Sequence, residues 1–342
     1  MGNISPSFAI VNPSFTEPGI ILPYVQASGA FEMLADGEPL VRLGDGDLYV
    51  YMKRLDVRTR MAANQAAYNL LPSVSVALSM ISTPSYLMRV RAEYDHHDTA
   101  AMNRWGVSIV EAQRLGMRQG HFQLARNALI FGFNPANGEG LANVQGSTAV
   151  SLPADSNGNT SVVTYDNGQM AVWLLTQINQ LKTRTNQLGI GRKFVILGPQ
   201  RTLGAMEYQN IVQVVQFQRA GAGSATTQGM LKDILDLNGD EVIWAYDDTL
   251  IGQGTGGGNN DLVMLVMPEV KKPQGSKINT NEIAKLAPGI EACTLMYTDM
   301  AAPREIPTPL AGGAIDILSE WRITSGWGVR PEAITKLTLL YQ

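Results

Sequence analysis

Apolar residues recur at helical spacing in two stretches of this chain and at strand spacing in several others. Between Ser108 and Gly132, Leu115, Phe122, Ala125 and Leu129 form one stripe, with Arg114, Arg118 and Arg126 off it. Ser108 and Glu111 have the Ser-x-x-Glu spacing of a capping box, and Gly132 supplies a stop. The pattern predicts a helix over 108–132, roughly 36 Å long at 1.5 Å per residue, which is long for a globular domain. A second stripe, Met170, Trp173, Leu174, Ile178, Leu181 and Leu188, predicts a helix over about 167–188. Asp166 and Gln169 are its capping pair, and Gly189-Ile190-Gly191 ends it.

Strand patterns surround these helices. Residues 73–94 alternate in patches around Pro84, with Val74, Val76, Leu78 and Leu87 apolar and Arg89 and Arg91 basic. This predicts a long two-stranded excursion, apolar on one face and basic on the other. Lys193–Leu197 reads as a buried strand closed by Gly198-Pro199, followed by a short helix through Met206. Further strands are expected at Ser161–Tyr165, Asp240–Tyr246, Leu262–Met267, Ala314–Thr324 and Trp327–Leu340, with Gly221–Gly229 a flexible loop. Residues 1 to about 50 read as an extended arm. Pro6, Pro13, Pro18, Pro23 and Pro39 break any helix there, while Phe8, Phe15, Tyr24 and Phe31 give it aromatics with which to lie along a surface. Strands on both sides of two long helices make the class α+β.

Composition sharpens this picture. Of 342 residues only 16% are charged, against 45% hydrophobic. A surface so poor in charge is expected to be hidden against something else. A net charge of -4 argues against a nucleic-acid condenser. The charges are also uneven. Residues 1–50 carry six acids, Glu32 and Asp36 among them, against one base, Arg42, whereas residues 51–130 carry ten bases against five acids. The single cysteine, Cys293, allows no intrachain disulfide and suits a reducing compartment. No run reaches the ~18 apolar residues of a membrane span, and Met1–Pro6 has no basic signal-peptide start. A soluble protein made in the cytoplasm is expected.

Candidate chemistry is sparse. Gly252-x-Gly254-x-x-Gly257 has the letters of a dinucleotide fingerprint, but it runs into a strand, and a fingerprint needs a helix whose N-terminus meets the pyrophosphate. Asp95-His96-His97-Asp98 has metal-ligand residue types, but neighbours on an extended chain point to opposite faces, so a solvated loop tip is expected. No Gly-x-Ser-x-Gly elbow occurs. His121 falls mid-helix as a packed or interface residue, and Asp247-Asp248 and Glu291 with Asp299 lack partners at useful spacing. No catalytic, cofactor-binding or metal-ligating residue is assigned, and an enzyme is not expected.

Glu111 to Asn134 running into Gly138-Glu-Gly-Leu-Ala-Asn143 resembles the spine helix and Gly-Leu-x-Asn turn of tailed-bacteriophage major capsid proteins of the Hong Kong 97 type. Gly328-Val-Arg-Pro-Glu-Ala-Ile-Thr-Lys-Leu337 resembles that family's closing strand, and Lys193–Pro199 after a long helix resembles its peripheral domain. The resemblance spans about 50–340. It implies an N-terminal arm (1–50), an extended loop (51–107), a peripheral domain (108–205 with 306–342) on spine helix 108–132, and an axial domain (206–305). It further implies an icosahedral shell of homo-hexamers and homo-pentamers around double-stranded DNA bound without sequence specificity. The partners implied are a portal, scaffold and cement or decoration proteins, with no membrane; the location is the virion, after assembly in the host cytoplasm. An encapsulin-like shell protein or a phage tail protein is the alternative. Arm and loop of that family reach neighbouring subunits, so the expected interface residues are Arg89, Arg91, Lys53 and Arg54 on the basic side, Glu32 and Asp36 on the acidic side, and Phe8 and Phe15 as aromatics.

Overall fold

The first predicted helix is the axis on which the chain is built. The computed structural model describes residues 28–35, 42–59, 74–104, 106–187, 191–207, 226–270, 294–310 and 312–342, with only the backbone of 54–59 and 74. Helix α1 (His96–Asn103) leads into α2 (Ile109–Ile130). Ser108 Oγ accepts from the Glu111 amide at 3.4 Å, forming half of the predicted box, while the Glu111 carboxylate turns to Arg114 at 3.3 Å. The buried face differs from the predicted stripe: Met117, His121, Ala125, Ala128 and Leu129 point inward, whereas Leu115 is 40% and Phe122 37% exposed. The sheet behind the helix decides this. It covers the side on which His121 Nε2 lies 3.0 Å from Ser319 Oγ and the His121 ring stands edge-on to Trp321. Arg126, expected off the buried stripe, is itself buried, as a long aliphatic stem permits.

After α2 the chain doubles back tightly. Gly132 takes φ +70° and donates to the Asn127 and Ala128 carbonyls at 3.3 and 3.1 Å. A Cβ on Gly140 would lie 2.2 Å from the Phe131 carbonyl carbon, so no side chain fits there. Asn143 Nδ2 closes the turn, donating to Phe131 O at 2.7 Å and Glu139 O at 3.2 Å. The Gly-Leu-x-Asn turn thus satisfies a helix-end carbonyl that would otherwise lack a partner.

Helix α2 lies on an antiparallel sheet of order β1-β2-β9-β8, formed by β1 (Tyr49–Thr59), β2 (Val74–Tyr94), β8 (Arg304–Pro309) and β9 (Ile315–Thr324). The expected hairpin within 73–94 does not form. β2 is one strand of 21 residues, pairing with β1 over 74–84 and with β9 over 85–94. Pro84 marks the handover opposite Tyr49, the first residue of β1, where a missing N–H disturbs the ladder least. β8, not expected from the sequence, carries Pro307 and Pro309 and is an edge strand, the place where proline is tolerated.

The second sheet is mixed, of order β3-β11-β6-β4-β5, from β3 (Thr148–Ser151), β4 (Lys193–Gly198), β5 (Glu241–Tyr246), β6 (Asn260–Val266) and β11 (Ile334–Leu340). Its alternation separates two cores. Phe194, Ile196, Val263, Leu265 and Leu337 face α3 (Asn167–Arg184) and α5 (Thr227–Leu237). Val195, Leu197, Met264, Val266 and Ile334 face the end of α2 and a 3-10 turn at Ala30–Met33. Strands covered on both faces read as continuous apolar runs, as β4 and β6 do. This sheet draws β5 and β6 from the segment 206–305 and β3, β4 and β11 from 108–205 and 306–342, so those two segments share one sheet.

Other departures have local causes. Asp95 to Asp98 is the start of α1, not a loop tip: Asp95 and Asp98 form a reciprocal capping box. Residues 161–165 turn, with Ser161 bridged to Leu340, rather than forming a strand. α3 ends at Arg184, short of the expected 188, where Asn186 takes φ 54°. The short helix expected through Met206 is α4, over 200–207. The expected flexible loop 221–229 is already helical from Thr227, because the Thr226 hydroxyl accepts from the Gly229 amide at 3.0 Å; 221–225 lie outside the described residues. The stretch 327–340 divides into β10 (Trp327–Gly328), paired with β7 (Leu295–Met296), a 3-10 turn at Pro331, and β11. Part of the expected extended arm lies on its own chain and completes its core. Ala30, Met33 and Leu34 are buried, and Gly29 donates to Tyr246 O at 3.0 Å.

Leu129→Ala is expected to cost about 2–5 kcal/mol as a fully enclosed cavity, and Leu115→Ala under about 1 kcal/mol as a surface change; chemical denaturation of both variants checks the buried face. Burial holds the His121 imidazole below its usual value, so the unfolded chain takes up a proton first as pH falls. Its contribution to stability is complete above the unfolded value of about 6.5 and declines below it. A His121→Gln variant is expected to show a flatter melting temperature between pH 7.5 and 5 than the unaltered chain.

Candidate assembly surface

Beyond Pro84, β1 and β2 pair only with each other, forming a ribbon at the edge of the sheet. Alternation gives it two faces. Val50, Met52 and Ile81 pack at its root against Met296 and Trp327. The other face carries Tyr49, Tyr51, Val76, Leu78 and Met80, each between 55% and 66% exposed. The register sets Leu55 opposite Leu78 and Val57 opposite Val76. Two strands alone are marginal in water, and a contiguous exposed apolar face marks a surface built for contact.

The ribbon is tied firmly where it leaves the body. The Arg322 guanidinium donates to Asp47 O at 3.3 Å and Ser85 Oγ at 3.0 Å. Ser85 itself donates to Asp47 O through its hydroxyl and to Leu48 O through its amide. Arg304 pairs with Asp45 at 2.8 Å and Arg42 with Asp299.

The expected interface residues are scattered by the fold. Arg89 and Arg91 share a strand face, but in the part of β2 paired with β9. Each meets acids of its own chain there: Arg89 Nε to Glu320 at 2.8 Å, Arg91 Nε to Asp316 at 2.8 Å and Nη2 to Glu93 at 3.2 Å. Lys53 is exposed on the projecting ribbon opposite Met80. Arg54 is described by its backbone alone, beside Lys53 on β1. Glu32 is exposed on the 30–33 turn, next to an open groove of about 650 Å³ lined by Trp244, Tyr246 and Asp248 among others. Asp36, Phe8 and Phe15 lie outside the described residues.

The other polar clusters serve the scaffold. Asp247 accepts from the Ser28 hydroxyl and from the Thr249 amide at 3.0 Å. The glycine loop connects strand to strand, with Gly254 N donating to Asn260 O at 2.9 Å at the start of β6. Burial opposes ionisation of Asp261, yet hydrogen bonds from Arg201, Thr202 and the Gly252 amide outweigh it and hold that carboxyl below the usual range. Among the described residues no three His, Cys, Asp or Glu side chains are grouped to hold a metal, and no helix is long and apolar enough to cross a membrane. Sequence reasoning missed Glu139, which is buried and accepts from Tyr86, Asn134 and Ser325. Gly138-Glu139-Gly140 gives only a turn signal, and the donors come from distant segments.

No protein-family model matches the sequence, and no curated protein matches it. Solved structures match it over nearly their whole length. The capsid of Myoviridae phage XM1 is 8% identical with a TM-score of 0.70, covering 96% of this chain and 97% of that one. The capsid of cyanophage P-SCSP1u is 11% identical at 0.56, covering 98% and 99%. The capsid of a native GTA particle computed with C5 symmetry is 12% identical at 0.56, covering 98% and 97%. The α+β fold of this chain is therefore the Hong Kong 97-like fold of tailed-phage capsids.

Arg89→Glu sets two acids opposite each other on the β2–β9 ladder and is expected to lower the melting temperature. Adding Glu320→Arg restores the pair, with a coupling of about 0.2–1 kcal/mol in a double-mutant cycle. A coupling of zero would free Arg89 for a neighbouring chain.

Proposed function

We propose that this chain is the major capsid protein of a tailed bacteriophage, a structural subunit that assembles with copies of itself into an icosahedral shell. Hexamers and pentamers are its working states, the virion is its place, and double-stranded DNA is enclosed without being read. The observation that carries this reading is the ribbon. A single subunit exposes an ordered apolar face that no element among the described residues covers, on a fold whose solved neighbours are capsids. The low charge content supports it, because a subunit surrounded by copies keeps little surface for water. Portal, scaffold and decoration proteins as partners rest on the resemblance alone. The division into an arm (1–50), an extended loop (51–107), a peripheral domain (108–205 with 306–342) and an axial domain (206–305) likewise rests on the resemblance.

Electron microscopy of the purified protein tests the reading: closed shells or capsomers are expected. Leu78→Asp, on the exposed face, is expected to leave far-UV circular dichroism and melting temperature unchanged while shell yield falls at least about tenfold, since a buried unpaired charge is strongly unfavourable. A wild-type chain that stays monomeric at high concentration overturns the proposal, and normal shells from Leu78→Asp would remove the ribbon from it.

A further inference from the structure

We propose that Glu139 is a positioning residue for assembly, fixing through Tyr86 the direction in which the β1–β2 ribbon leaves the subunit. The inference rests on the capsid reading for its consequence but not for its geometry. Tyr86 lies on β2 two residues from Pro84 on the side paired with β9, on the same strand face as Met80, Leu78 and Val76. The bare apolar face of the ribbon and the Tyr86 ring are thus one continuous face. At the root that face is covered by the turn after α2, where the Phe133 ring packs tilted against Tyr86 with ring centroids 4.6 Å apart. Beyond Pro84 nothing described covers it.

Glu139 joins three segments at this point. The Tyr86 hydroxyl donates to it, 2.9 and 3.0 Å from its two oxygens, the Asn134 amide donates at 3.1 Å, and the Ser325 hydroxyl donates at 2.7 Å. These belong to β2, to the turn after α2 and to the residue following β9. Glu139 is only 4% exposed, and no cation pairs with it among the described residues. A buried acid met only by neutral donors is more costly than an apolar side chain of its size, and it is tolerated only when its donors are held in place. That intolerance suits a part whose task is to set an angle. Burial and the bond to Glu139 also push the Tyr86 phenol up to about 12, so it remains a donor at any working pH.

The ribbon amplifies whatever happens at its root. Ten residues at about 3.3 Å each reach roughly 33 Å past Pro84, so a tilt of about 5° at the root moves the tip by about 3 Å. A displacement of that size takes an apolar face out of register with a neighbour.

Tyr86→Phe keeps the ring on Phe133 and deletes only the donor. Spin labels at Ala77→Cys on the ribbon and Gln123→Cys on α2, in a Cys293→Ser background, report the ribbon angle in the subunit itself. The Tyr86→Phe distance distribution is expected to be at least about twice as broad as that of the labelled parent, with the melting temperature within a few degrees. Glu139→Gln supplies the same measurement should Tyr86→Phe fail to fold. Equal widths overturn the proposal. A broadened ribbon with unchanged shell yield and size overturns its bearing on assembly. A parent that forms no shells refutes the capsid reading instead, while the label distances still decide whether the clamp exists.

Discussion

The burial of the last two turns of α2 between two sheets is the constraint on which the rest depends. Ala125, Ala128, Leu129 and Ile130 share one core with Val195, Leu197 and Met264 of the mixed sheet and Trp321 and Ile323 of β9. Two alanines and Gly326 allow the approach: a Cβ on Gly326 would lie 2.4 Å from the Leu129 carbonyl oxygen. Because the helix end is held from both sides, the chain that follows must reverse at once. The glycine turn, Asn143 and Glu139 are consequences of that closeness.

From this clamp the two ends of the molecule differ. The mixed sheet is covered on both faces, by the end of α2 and the Ala30–Met33 turn on one and by α3 and α5 on the other. The antiparallel sheet is covered by α2 on one side and runs out into a ribbon whose apolar face nothing among the described residues covers. A protein working alone would blunt such an edge with charge. Here Lys53 is the only charged side chain described among the apolar residues on the exposed face, so the face stays apolar over its described length.

The charge asymmetry along the sequence has a partly internal explanation. Asp45 of the arm pairs with Arg304 and Arg42 with Asp299, while Arg89 and Arg91 of β2 pair with acids of β9 and of β2 itself. A ladder that aligns Arg89 with Glu320 pairs these two charges within the chain, though both side chains keep contact with water. Exposed pairs of this kind contribute little to stability, but they help fix the register of the sheet on which the ribbon stands.

The sequence by itself determined the long helix, its Ser108 cap and Gly132 stop, the second helix, the β4 and β6 runs and the absence of a helix after the glycine loop. Each of these rests on neighbours within a few positions: a hydroxyl reaching an amide three residues on, a glycine at positive φ, an apolar run too long to face water. The amphipathic character of the excursion at 73–94 was legible for the same reason, since alternation is local. Tertiary structure alone decided the rest. Which side of α2 is buried depends on a sheet contributed by β9, some 190 residues away, so Leu115 and Phe122 were misplaced while His121 proved central. Pro84 looked like a turn because a proline in a strand is costly, and only the change of partner from β1 to β9 makes it tolerable. Glu139 gathers donors from positions 86, 134 and 325, a set that no spacing rule brings together, because it is created by the closeness of the helix end, the ribbon root and the strand that follows.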